Sequence, residues 1–370
     1  MIKVLMSSTT PVAKDGITNV MLNLYKHIDK EKFIVDFITI NEPDYGIAKL
    51  INNEGGKYKV VERTLRHPLR YVCNYAKLCK GYDIVHVHGN SATMFMEMLA
   101  AKIAGVKIRI AHSHNTYCKY KLIDTIFRVP FYALCNMRLA CGEEAGKWLF
   151  RKHPFVIINN GIECVKYSFN DEIRNKTRNK LGWQNCKIIG HVGNFLPAKN
   201  HVFILNIFHK LLVSNPDYRL LLIGEGDMLP EIKKISKEYK MEGKIHFAGS
   251  VDNVEEYLSA MDIVIMPSIN EGFPLTLIEE QANGLHCIAS DNITDQVNLT
   301  GNVRFCSLQS GISFWEKIIT EELAKEIDRE NESLKAVQLI HEKNYDINAS
   351  VRSLQELYLK HVNNAIAAYK

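Results

Sequence analysis

The sequence predicts an α/β protein with two parallel sheets, and three observations carry that reading. Short apolar, β-branched runs alternate with segments of helical spacing along the chain, the pattern of parallel strands joined by helices. The opening unit has a strand at 2–6, a polar loop at 7–16 and a helix from about 17 to 28. The same kind of unit returns as a strand at 187–192, a loop at 193–200 and a helix at 202–212. The 370 residues suffice for two domains, each with its own core. Together these give two facing Rossmann-like domains, alike in architecture and without a sequence repeat.

Composition narrows the class. Hydrophobic residues make up 46% and charged residues 24%, values of a globular protein, and no apolar run approaches the length of a bilayer span. The start, MIKVLMSSTT, lacks a signal-peptide apolar region and reads as a first buried strand. Nine scattered cysteines with no C-x2-C pair fit reduced thiols in a cytoplasmic protein better than disulfides or a zinc site. The net charge of +5 divides into about +10 up to residue 160 and about −5 beyond it. Two stretches, 57–80 and 119–140, mix Lys and Arg with large apolar residues. They are either a solvated basic surface or a place of contact with anionic lipid or a pyrophosphate-linked acceptor. No helix-turn-helix, RNP or zinc-finger pattern supports a nucleic-acid partner.

Along the first half, further strands are predicted at 33–40, 58–61, 84–88 and 106–111, with helices such as 92–104 between them. His86 and His88 end one strand; His112 and His114 end another, where the active groups of such sheets lie. Four histidines raise a metal reading, yet no carboxylate ligand stands nearby in sequence. No G-x-G-x-x-G follows the first strand, so the dehydrogenase fingerprint is missing, and Gly224 with Gly226 lacks the third glycine. The charged segment 171–183 has no apolar face wide enough for a core, and a linker is placed near 166–171. The terminal segment 345–370 carries a helical stripe of Val351, Leu354, Leu357, Tyr358, Val362, Ala365, Ile366 and Tyr369.

The richest stretch is 268–291, SINEGFPLTLIEEQANGLHCIASD. A buried strand at 261–268 leads into a loop at 269–274; Pro274 opens a helix and Gly284 closes it. A strand, a loop and a helix N-terminus in succession suit a phosphate. Glu271 stands on the loop and Glu279 about one turn inside the helix, so both can face one crevice, one carboxylate for a sugar ring and one for a ribose diol. The alternative is structural: Thr276 and Glu279 also fit a capping box.

The setting EGFPLTLIEEQANG resembles the E-x7-E motif of retaining glycosyltransferases of family 4, with Glu271 and Glu279 as its glutamates. The segments NGIE (160–163), GNFLPAKN (193–200) and AHSHNT (111–116) match the same family in order, so the resemblance spans essentially the whole chain. It implies the GT-B architecture: a first domain at 1–168 for the acceptor, a second at 169–345 for the nucleotide sugar, and a helix at 346–370 crossing back to the first. It implies His114 beside the transferred sugar, Glu271 with the amides of Gly272, Phe273 and Leu275 on that sugar, and Glu279 on the ribose. Pro274 and Thr276 complete the helix start. Lys199 would meet the diphosphate, Gly16 would let backbone approach it, and Val251 would lie by the base. Two positions depart from the family: Asp15 replaces a glycine beside Gly16, and Asn194 replaces an arginine, removing one fixed positive charge from the leaving-group site.

The implied activity is transfer of a sugar from a nucleotide sugar, expected to be a UDP-sugar, to a glycan or polyprenyl-diphosphate-linked acceptor with retention, in surface polysaccharide biosynthesis at the inner face of the membrane. No cofactor or metal is expected, because no Asp-x-Asp occurs in the sequence. Two other readings stay open at this point: a glycoside hydrolase using Glu271 and Glu279 across the scissile bond, and a non-catalytic binding subunit.

Overall fold

The computed structural model of the chain describes residues 1–13, 16–63, 67–116, 118 and 121–367, with the backbone alone at 366. Asp15, Lys119 and Tyr369, and the side chain of Ile366, lie outside the described residues. The chain forms two compact units: Met1–Gly161 with Asn344–Lys370, and Ile162–Lys343.

The first unit runs β1 (Ile2–Ser8), α1 (Gly16–His27), β2 (Phe33–Thr39), α2 (Tyr45–Asn53), β3 (Tyr58–Val60), α3 (Pro68–Cys79) and β4 (Ile84–Gly89). It continues with α4 (Phe95–Ile103), β5 (Ile108–Ser113), α5 (Lys121–Leu134), β6 (Met137–Ala140), α6 (Glu143–Phe150) and β7 (Val156–Ile157). The strands pair in parallel in the order β3-β2-β1-β4-β5-β6-β7. All six residues of β4 are buried, as a strand covered on both faces requires. The strand expected at 106–111 lies two residues later, because Gly105, Val106 and Lys107 are needed to leave α4. The amide of Gly105 bonds Lys102 O at 3.0 Å and that of Val106 bonds Ala101 O at 2.9 Å. His112 is therefore inside β5, and His114 is the first of the four histidines past a strand end. The helix expected at 92–104 is also divided, into a 3-10 turn at Ala92–Met94 and α4.

The second unit runs α7 (Asp171–Leu181), β8 (Lys187–Val192), α8 (His201–Ser214), β9 (Tyr218–Ile223), α9 (Leu229–Glu238), β10 (Ile245–Gly249) and α10 (Val254–Ala260). Then come β11 (Ile263–Met266), α11 (Leu275–Ala282), β12 (His286–Ser290), β13 (Val303–Cys306), α12 (Gly311–Leu323) and α13 (Arg329–Glu342). Its sheet is parallel in the order β10-β9-β8-β11-β12-β13. Strand order reverses between β8 and β11 here and between β1 and β4 in the first unit, the switch points where open α/β sheets bind ligands.

The last helix, α14 (Ile347–Ala367), returns to the first unit, where it packs on α1 and buries Val351, Leu354 and Tyr358. The chain passes between the units at 161/162 and 343/344, against the sequence boundaries of 168/169 and 345/346. Ile162 and Cys164 are buried and Lys166 pairs with Glu255 of α10 at 3.6 Å, so the segment read as linker is part of the second unit.

Helix α7 also departs from expectation: it does dock on the unit, through charge. Arg174 and Arg178, one turn apart, reach Asp262 at 2.5 and 2.6 Å, and Arg174 Nη1 also donates to the carbonyls of Ser259 and Met261. Asp262 further accepts the amide of Ile188 at 2.7 Å, which ties the start of β8 to the start of β11. Removing one partner from a buried cluster leaves the others uncompensated. Asp262→Ala should thus lower the stability of this unit by about 3–5 kcal/mol in urea unfolding. A loss below about 1 kcal/mol, the scale of an exposed pair, would contradict it.

Candidate active site

At the switch point of the second unit the loops after β8 and β11 are bound to each other. Ile269 N donates to Ala198 O at 2.7 Å and Asn200 Nδ2 to Pro267 O at 3.2 Å. Lys199 Nζ is ion-paired with Glu271 Oε1, both side chains mostly sheltered from solvent. Two residues picked out separately in the sequence, one for a diphosphate and one for a sugar, therefore share a place. Asn194, in the same β8 loop, is exposed.

The loop after β9 lies against that after β8. Gly193 N donates to Ile223 O at 2.9 Å, and Phe195 N to Glu225 O at 2.8 Å. Gly224 (φ +138°) and Gly226 (φ +154°) permit this approach: a Cβ at either would sit 2.2 Å from Gly193 O or 2.6 Å from Phe195 O. These glycines thus serve loop-to-loop packing. The loop after β10, which carries Val251, is joined on through Gly224 N to Gly249 O at 2.9 Å.

Helix α11 begins after Pro274, with Leu275 as its first residue and Thr276 as its second. Pro274 is the N-cap and makes no side-chain cap bond, so the capping box read from Thr276 and Glu279 does not form. Its physical cause is register: Glu279 is the fifth residue of the helix and cannot reach back to the cap. Gly272 is exposed, and Phe273 half-buried, on the turn before Pro274. Glu279 instead accepts a hydrogen bond from Tyr167. Burial pushes its carboxyl up to about 7, against the lowering pull of Tyr167 and Lys166, with Glu255 and Glu163 raising it further. Its neighbour Glu280 is fully buried, and desolvation followed by the charge of Glu279 raises it well above the usual range.

Sequence reasoning passed over three residues here. Tyr167 falls in the stretch 166–171 read as linker, four residues beyond the NGIE segment. His191 and His201 flank the β8 loop. His191 Nδ1 bonds Ile265 O at 2.9 Å, and a Cβ on Gly193 would meet His191 Nε2 at 3.0 Å and the Lys199 stem at 3.3 Å, so these groups border one niche. His201 stacks on Phe195 with ring centres 4.0 Å apart. Burial keeps both rings neutral, aided by the charge of His201 and Lys199 at His191 and of Lys199 alone at His201. The spacing H-x9-H around this loop was the available signal.

In the first unit, Gly16 is the first residue of α1, with open space about its Cα. His114 belongs to two layers of imidazoles. His86 Nε2 and His112 Nδ1 are 3.2 Å apart in rings inclined by 12°, and His88 Nδ1 and His114 Nε2 are 2.8 Å apart in rings inclined by 16°. The first layer stacks on the second, His86 on His88 at 4.2 Å and His112 on His114 at 4.3 Å, and Tyr358 of α14 bonds His86 Nδ1 at 2.6 Å. Burial pushes His114 down to about 3 and the other three well below the usual range, so all four are neutral. One ring nitrogen from each of His86, His88 and His112 lies within 4.8 Å of the others, a spacing that raises the metal reading again. His86 spends both ring nitrogens, on Tyr358 and His112, whereas His88 Nε2 and His112 Nε2 are buried without a hydrogen-bond partner, so two of the three rings hold a nitrogen in reserve.

Two parallel sheets of this order serve many activities, and the similarity of the sequence to known proteins sets the class, a glycosyltransferase. The chain belongs to the glycosyltransferases of group 1, family 4 in the sequence classification, and has the GT-B type of fold. The family model "Glycosyl transferases group 1" matches residues 173–303. The protein named "Putative glycosyltransferase EpsF" of Bacillus subtilis (strain 168) is 32% identical over 328 residues, covering 84% of this chain and 85% of its own. The Escherichia coli UDP-Gal:alpha-D-GlcNAc-diphosphoundecaprenol alpha-1,3-galactosyltransferase is 27% identical over 237 residues, 60% of this chain and 59% of its own. Among solved structures, a glycosyltransferase from Rickettsia africae superposes with a TM-score of 0.78 at 17% identity over 98% of this chain and 99% of its own. Anabaena Alr3699/HepE in complex with UDP-glucose gives 0.76 at 15% over 97% and 100%.

The raised carboxyl of Glu279 has a pH signature. Between its ordinary 4.5 and about 7 the folded state holds a proton that the unfolded state has released. The stability from this group is full below 4.5 and lost as pH rises through about 7. Thermal unfolding from about pH 5 to about pH 8 should fall more in the wild type than in Glu279→Gln; parallel curves would contradict the assignment.

Proposed function

We propose that this chain moves a sugar from a UDP-sugar to a lipid-linked glycan with retention at the anomeric carbon, as a step in surface polysaccharide assembly on the cytoplasmic side of the membrane. The observation that carries the reading is the junction of the β8 and β11 loops, where Lys199, Glu271 and the start of α11 meet at a switch point. UDP is favoured by the complexes of the Anabaena fold neighbour with UDP and UDP-glucose, and a polyprenyl-diphosphate acceptor by the substrate in the E. coli relative's name.

In this reading Lys199 leaves Glu271 for the donor diphosphate, and the first-turn amides of α11 add the positive end of the helix dipole. Glu271, released, accepts hydrogen bonds from the sugar hydroxyls, with the amides of Gly272, Phe273 and Leu275 alongside. Glu279, steadied by Tyr167, takes the ribose diol. Pro274 and Thr276 shape the helix start, Gly16 gives backbone access to phosphate in the first unit, and Val251 meets the base through its backbone. With its ring neutral and Nδ1–H given to Ile265 O, His191 offers the niche only the acceptor Nε2, so where Asn194 has no charge Lys199 is the side-chain cation for the diphosphate. Lys199 and the helix terminus neutralise the leaving group without a divalent ion. His114 serves the sugar as a neutral imidazole. No side chain is assigned as nucleophile: the bond from the anomeric carbon to the diphosphate oxygen breaks as the acceptor oxygen bonds on the same face, and the acceptor's hydroxyl proton passes to the departing diphosphate. The similarity of the chain to glycosyltransferases is what disfavours the hydrolase reading.

The test is a thermal-shift screen against UDP, GDP and ADP. UDP should stabilise the protein most, and Lys199→Ala should weaken UDP binding about ten- to hundredfold, the loss of one charge-assisted contact. Equal response to all three, or full affinity in Lys199→Ala, would overturn the reading.

A further inference from the structure

The two imidazoles of the outer layer differ in freedom. His88 is fully buried near the end of β4. Its carbonyl accepts the amide of Thr9 at 3.0 Å, and its place in the sheet is set by pairing with His112 of β5. Its ring stacks on that of His86 at 4.2 Å. His114 lies past the end of β5, is half-buried, and is followed by exposed Asn115 and Thr116. Its amide donates to Asn90 Oδ1 at 3.3 Å, and its ring Nε2 lies 2.8 Å from His88 Nδ1. Among the described residues, neither His88 Nε2 nor His114 Nδ1 has a hydrogen-bond partner.

These surroundings decide which ring carries the shared proton. Burial keeps both rings neutral, so each has a single N–H. If His114 Nε2 were the donor, the N–H of His88 would stand on Nε2, an unmade donor in a ring with no exposed surface. If His88 Nδ1 is the donor, His88 is left with only an unused lone pair, and the free N–H is Nδ1 of His114. A buried N–H with no acceptor is rare and costly. The second arrangement puts that donor past the strand end, at the carboxyl edge of the sheet, where ligands of open α/β sheets bind. It is therefore the favoured one. The hydrogen bond at one ring nitrogen sets what the other can do, and here the partner that sets it is held by a central strand.

We infer that His88 is a positioning residue for sugar transfer: by donating from Nδ1 it holds His114 in the tautomer whose Nδ1–H serves an oxygen of the donor sugar. The inference rests on the placement of His114 beside the sugar proposed above, and two measurements separate them. The first needs no ligand. In protein isotope-labelled at the histidine nitrogens, proton–nitrogen correlation spectra report which ring nitrogen is protonated, and the His114 signals are those lost in His114→Ala. His114 should be protonated on Nδ1 in the wild type and become a mixture of tautomers in His88→Leu. It should return to the Nδ1–H form in His88→Asn, whose side-chain amide stands in for Nδ1–H of the imidazole.

The second measurement is calorimetric titration with UDP and with UDP-glucose. The extra affinity that the glucose brings should fall about tenfold in His114→Ala and in His88→Leu, fall no further in the double variant, and recover in His88→Asn, while UDP alone binds all of them equally. A proton on Nε2 of His114 would overturn the inference. So would a glucose contribution lost in His114→Ala but kept in His88→Leu, since His114 would then act without His88. A wild type that gains nothing from the glucose, or a gain that survives His114→Ala, would instead refute the placement of His114 beside the sugar, and the inference with it.

Discussion

The ion pair between Lys199 and Glu271 is the interaction on which the second unit's candidate site depends. Its partners sit on loops that follow different strands, and only the parallel order of β8 beside β11 brings those loops together. The backbone bonds from Ile269 to Ala198 and from Asn200 to Pro267 hold them there. Gly224 and Gly226 let a third loop close against the first. A cation and an anion that neutralise one another without ligand are preorganised for a substrate with both a diphosphate and a hydroxylated ring, since each can be exchanged for a part of the donor.

Burial sets the protonation states elsewhere. Glu279 and Glu280 are pushed toward the neutral form by desolvation, and the four histidines of the first unit are held neutral by the same cause. The imidazole layers can persist because each ring shares a hydrogen bond with a neighbour, and α14 closes one end through Tyr358. The return of the terminal helix thus contributes to the geometry around His114 as well as to the core.

The alternation of strands and helices was legible because buried parallel strands are short continuous apolar runs, and the E-x7-E segment because its loop and helix start are contiguous in the chain. Less legible were features that depend on distance in sequence. Arg174 and Arg178 look like a solvated face until Asp262, more than eighty residues away, is beside them. Tyr167 looks like linker until Glu279 is. The capping box at Thr276 was a local pattern that the actual register of α11 denies, because Pro274 takes the cap. The strand holding His112 was placed two residues early, since the apolar run at 106–111 gives no sign that Val106 and Lys107 are spent on the turn. The four histidines were visible, but their layering follows from the pairing of His88 with His112 across β4 and β5.

The central claim is that donor binding exchanges the Lys199–Glu271 pair for separate contacts to diphosphate and sugar. Calorimetric titration of Glu271→Gln with UDP and with UDP-glucose tests it most directly. The account predicts that UDP affinity is kept or raised, because Lys199 no longer has a competing carboxylate, while the extra affinity contributed by the sugar is lost. Equal weakening of both ligands would mean that Glu271 supports the nucleotide site as a whole, and would contradict the exchange.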